Sequence, residues 1–86
     1  MKVLNKPIEV ISWTKEDGTM TPLKYRVEGE DGELHSYKLK LQAREVIKHT
    51  GKDIYKFTCQ VQMNNQIKIC EIRYNKADMK WTLYKI

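Results

Sequence analysis

Apolar and polar residues alternate along most of this chain with a period of two, and the alternation breaks at clusters of glycine, asparagine and aspartate. These clusters are Glu16-Asp17-Gly18, Glu30-Asp31-Gly32, Thr50-Gly51-Lys52-Asp53, Asn64-Asn65 and Asn75-Lys76-Ala77-Asp78. Such residues tolerate positive φ or hydrogen-bond their own backbone, so each cluster reads as a turn. Between them the pattern predicts strands near 8–14, 22–29, 33–48, 54–63, 66–75 and 79–86. Six short strands joined by tight turns predict an all-β antiparallel meander, closed into a small barrel or held as a strongly bent sheet.

Facing residues in a sheet must agree about which side is buried, so the turns can be checked against one another. With Asn64-Asn65 as a two-residue hairpin loop, Cys59 faces Cys70, Phe57 faces Ile72 and Tyr55 faces Tyr74 on one side. On the other side Lys56 faces Arg73 and Thr58 faces Glu71, while Val61 opposite Lys68 is the one awkward pair. A four-residue turn at 75–78 then pairs Tyr74 with Met79, Ile72 with Trp81 and Cys70 with Leu83, all inside. A three-residue loop at 30–32 pairs Tyr25 with Tyr37 and Leu23 with Leu39 inside, and Lys24 with Lys38 outside. The predicted core is Tyr25, Tyr37, Leu39, Phe57, Ile72, Trp81 and Leu83.

The third strand is the irregular one. Leu39 and Leu41 alternate with Lys38, Lys40 and Gln42, but Val46 and Ile47 break the period, which predicts a bulge near Glu45. The alternative is a short helix near 42–50, because Ala43, Arg44, Glu45 and Lys48 are good helix formers and Gly51 could cap it.

Length and composition narrow the class. The chain has 86 residues, enough for one small β domain (1–86) and too few for two. At 41% hydrophobic and 31% charged it is too apolar to be disordered. Neither a signal peptide nor a run of the roughly 18–20 apolar residues needed for a membrane span is visible, so a soluble cytoplasmic protein is expected. Cys59 and Cys70 are its only cysteines, too few for a disulfide scaffold. They are expected to be free and buried, although their facing positions would permit a bridge.

The net charge of +5 is unevenly spread: residues 1–33 carry five basic and seven acidic side chains, residues 34–86 eleven and four. The register sends Lys24, Arg26, Lys38, Lys40, Arg44, Lys56, Arg73 and Lys80 to the outer face, a candidate nucleic-acid surface. Against it, four of the five tyrosines fall inside, and only three of the sixteen basic residues are arginine. A solvated lysine-rich face is the plainer explanation. Ile67, Ile69, Tyr84 and Ile86 form a second, apolar candidate surface on the same outer face. It would serve a protein partner or a second copy of the chain, unless the N-terminal segment folds over it.

Catalytic signatures are absent. The serines have no nucleophile-elbow context, the glycines form no phosphate loop, and His35 and Ser36 point to opposite faces of a strand. Neither the cysteine spacing nor the acidic hairpin turn is suited to a metal, and no cofactor is expected. The favoured expectation is a non-catalytic protein-interaction or self-associating module, with a nucleic-acid-binding barrel as the alternative. An enzyme or ligand-binding barrel ranks third.

Overall fold

The computed structural model describes residues 1–49 and 51–86, so Thr50 of the predicted 50–53 turn lies outside the described residues. Six strands run in chain order: β1 Val3–Thr14, β2 Met20–Glu28, β3 Leu34–His49, β4 Lys52–Met63, β5 Gln66–Asn75 and β6 Lys80–Lys85. Each pairs antiparallel with the next, and β1 pairs with β6 to close a barrel. Among the described residues no helix is long and apolar enough to cross a membrane, which says nothing of strands.

The turns follow from local chemistry. In both Glu-Asp-Gly triplets the aspartate carboxylate accepts the amide two residues on, Asp17 from Thr19 and Asp31 from Glu33, each at 2.9 Å. The glycine then takes the left-handed conformation, Gly18 at φ 93° and Gly32 at φ 77°. Asn64 and Asn65 adopt φ 48° and 64°, the two-residue hairpin geometry that asparagine tolerates. The β4–β5 register follows as expected, including Cys59 with Cys70 and Val61 with Lys68.

Closure depends on irregularities that bend the strands. Ser12 pairs with Pro22 and Ile11 with Lys24, so Leu23 is an extra residue on β2. The expected Leu23–Leu39 inner pair therefore does not form: Leu23 is 42% exposed and Pro22 is buried in its place. On β3 the extra residue is Gln42, between the Leu41–Cys59 and Ala43–Thr58 pairs, three positions before the predicted bulge. The helical alternative for 42–50 is overturned, because β3 remains a strand through His49. A helix there would deprive β4 of its hydrogen-bonding partner along 52–58.

The last hairpin departs from its predicted register by two residues. The Asn75 side chain accepts the Ala77 amide, and its backbone carbonyl accepts the Met79 amide at 2.8 Å. The turn therefore spans 76–79, with Met79 at φ 58°. Tyr74 faces Trp81 and Ile72 faces Leu83. A shift of two preserves the faces, so the core is retained while the partners change. Tyr25, Phe57, Cys59, Val61, Cys70, Ile72 and Leu83 are buried, and Tyr37, Leu39 and Trp81 pack against them.

β1 begins five residues earlier than predicted. Proline disfavours a strand assignment from sequence, yet Pro7 pairs with Thr82 in the seam that closes the barrel. β1 joins β6 through residues 3–8 and β2 through residues 9–14, so it belongs to both walls.

Candidate functional site

A barrel with one layer of strands must leave one face of each strand to solvent, and parity decides which side chains occupy it. On β1, Ile8 and Val10 pack against the core, leaving Glu9, Ile11 and Trp13 outward. Ile11 and Trp13 are 63% and 62% exposed and follow one another on that face. Ile11 faces Lys24, and Lys24 faces Lys38 on β3. Two residues along β3, Lys40 faces Gln60, which faces Ile69 on β5. Lys38, Lys40, Gln60, Gln62 and Ile67 line one recess of about 230 Å³. A transverse strip results, with Trp13 and Ile11 at one end, three lysines in the middle, and glutamines and isoleucines at the other.

The eight basic residues expected on the outer face divide sharply. Arg26 is paired with Glu9 at 2.6 Å. Arg73 and Lys56 both contact the buried Glu71, at 2.6 and 3.6 Å. Lys80 sits beside the 76–79 turn, opposite Asn75 and away from the lysine cluster. Arg44 is not outward at all: the bulge at Gln42 pairs it with Phe57 on the inner side. Its guanidinium crosses the barrel mouth to donate to the Thr21 hydroxyl at 2.9 Å. What remains is Lys24, Lys38 and Lys40, for which no ion pair is found among the described residues.

The apolar candidate surface is halved. Ile67 is 70% exposed and Ile69 37%, as the pattern required. Tyr84 also points outward, but the Arg73 guanidinium lies 3.5 Å from its ring centre and covers it. Glu71 pairs with Lys85 while Ile72 pairs with Leu83, which makes Tyr84 an extra residue on β6. Ile86 consequently packs against the core instead of joining the outer patch. The N-terminal segment does not cover the isoleucines: it pairs edge to edge with β6.

The barrel mouth is the other concave feature. Met20, Arg44, Val46, Tyr55 and Phe57 line a recess of about 350 Å³ with Asp17 and Glu45 at its rim. Tyr55, Tyr74, Trp81 and Phe57 form a chain of ring contacts beneath it, with centres 4.9–6.1 Å apart. The Thr19 amide and hydroxyl hold the Asp17 carboxyl below the ordinary range, so it is ionised at neutral pH and suited to fixing its turn. Asp31 is lowered in the same way by the Glu33 amide and then by His35.

Three buried polar groups complete the chemistry. Cys59 and Cys70 are free and fully buried, as expected. The hydrogen bond between the two thiols, and burial, push Cys70 above the ordinary range. The Tyr25 hydroxyl is buried with no hydrogen-bond partner among the described residues. Among the described residues no three His, Cys, Asp or Glu side chains converge in a group that could hold a metal.

Trp13 was the functional candidate that pattern reasoning missed. Its signal was available: Ile8 and Val10 fix the inner parity of β1, and Trp13 lies on the opposite parity. Apolar residues on both faces of β1 obscured it. Comparison with protein-family models, curated proteins and solved structures finds no match for this chain.

Proposed function

We propose that this chain is a non-catalytic binding module of the cytoplasm that holds a polyanion, nucleic acid, on the outer face of β1–β4. The observation that carries the proposal is the direct opposition of Lys24 and Lys38, with Lys40 beside them and, among the described residues, no carboxylate paired to any of the three. Like charges facing each other across a ladder cost a few tenths of a kcal/mol to about 1 kcal/mol, and an anionic ligand removes that cost. On the same outer face Arg26, Lys56 and Arg73 are each paired to a carboxylate, which sets the three lysines apart from them. The acidic Glu30-Asp31-Gly32-Glu33 segment joins the same two strands and bounds the basic strip on one flank.

Self-association is the second reading, and the exposure of Ile67 and Ile69 favours it. Lys38 and Lys40 line the same recess as Ile67, however, so bringing two copies together there would bring these cations together as well. An anionic partner meets no such penalty.

The test is charge reversal at two places. Lys38→Glu/Lys40→Glu and the control Lys76→Glu/Lys80→Glu change the net charge equally. In a low-salt binding assay with a labelled mixed-sequence oligonucleotide, loss in the first variant and retention in the second is expected. Equal behaviour of the two variants would reduce the strip to non-specific net charge. A wild-type dimer that ignores the oligonucleotide and dissociates in Ile69→Lys would put self-association first.

A further inference from the structure

Resting on the polyanion reading above, we infer that the strip takes single-stranded nucleic acid, with Trp13 as the surface on which a base stacks. Phosphates need only the lysines, and a duplex presents more of them per unit length than a single strand. Charge alone would therefore rank duplex above single strand. Trp13 gives the strip a different preference. Its indole is 62% exposed and lies on the outward parity of β1, two residues from Ile11, the direct neighbour of Lys24. Alternate residues on a strand are about 6.5–7 Å apart and adjacent strands about 4.8 Å. An aromatic face and an uncompensated ammonium row thus lie within reach of one nucleotide and its flanking phosphates.

A duplex hides the faces of its bases, whereas an unpaired strand can lay one on an exposed ring while its backbone follows the cations. Ile11 at 63% and Leu23 at 42% exposure extend the apolar ground around the indole. Leu23 is outward only because it is the bulged residue of β2. Gln60 and Gln62, beyond Lys40, supply amides that both donate and accept, suited to base edges without fixing one sequence. The expected ligand is a short, unpaired segment bound with little sequence preference.

The experiment uses the full chain and one fluorescein-labelled mixed-sequence DNA strand, alone and annealed to its complement, at low salt. Wild type is expected to bind the single strand more tightly than the duplex. Trp13→Ala is expected to weaken single-strand binding about thirtyfold, the middle of the range for losing one stacked base, and to leave duplex binding unchanged. Trp13→Phe keeps a ring and should recover most of the loss. Because Trp13 is exposed, all three proteins should give the same circular dichroism and melting. Single-strand binding that is unchanged in Trp13→Ala but lost in Lys38→Glu/Lys40→Glu would overturn the stacking inference and leave the polyanion reading standing. Absence of binding to either form would remove both. A wild-type dimer converted to monomer by Trp13→Ala would overturn the inference by making this face a protein contact.

Discussion

Tyr25→Phe should make the protein more stable, contrary to the usual effect of altering a core residue. Tyr25 is 1% exposed and its hydroxyl has no hydrogen-bond partner among the described residues. Burying a hydroxyl without a partner costs about 1–3 kcal/mol, because the hydrogen bonds it made to water are not replaced. The variant removes the oxygen and keeps the ring, whose centre lies 5.3 Å from that of Tyr37. The loss of a single oxygen from a packed site offsets part of the gain, so a net stabilisation of about 1 kcal/mol is expected. For a domain of this size that is a rise in melting temperature of roughly 4–8 °C. The same residue shapes the alkaline limb of stability. Burial, then the fields of Cys70 and Tyr37, raise the Tyr25 pKa, so the folded chain holds a proton that the unfolded chain releases above the ordinary tyrosine value of about 10. Its contribution is complete below that pH and is lost as pH rises further, a decline that Tyr25→Phe should lessen. Thermal and urea denaturation at pH 7 and at pH 10–11 test both points. Destabilisation by about 1 kcal/mol or more at pH 7 would refute the reasoning, since it would mean the hydroxyl has a partner.

Two further variants probe separate devices. Glu71→Gln should destabilise by about 1–2 kcal/mol in urea melts: Glu71 is buried, but Arg73 and Lys56 retain some access to water, which limits the loss. Met79→Gly should stabilise by about 0.5–1 kcal/mol in thermal melts, because Met79 holds φ 58° in an exposed turn where glycine has no Cβ penalty.

The hairpin around Asn64-Asn65 was fully legible because two asparagines fix a two-residue loop and ten facing pairs then follow. The last hairpin was legible only in its faces. Asn75-Lys76-Ala77-Asp78 marks a turn, but whether Asn75 ends the strand or enters the loop depends on a side-chain hydrogen bond that pattern does not encode. Bulges account for the remaining differences. An extra residue at Leu23, Gln42 or Tyr84 reverses the faces beyond it, which moved Leu23 out, Arg44 to the mouth and Ile86 into the core. Such residues are set by the curvature that closure demands and carry little local signature. The lysines of the candidate site were visible from alternation alone. Which basic residues had partners was not, because the buried Glu71 draws Arg73 and Lys56 together through tertiary contacts.

The most direct test of a functional outer strip is the salt dependence of oligonucleotide binding. If Lys24, Lys38 and Lys40 each neutralise one phosphate, a plot of log affinity against log salt for a single strand should have a slope of about −2. Lys38→Glu/Lys40→Glu should flatten that slope and abolish binding at all but the lowest salt. A slope near zero, or one that the double variant leaves unchanged, would contradict the account.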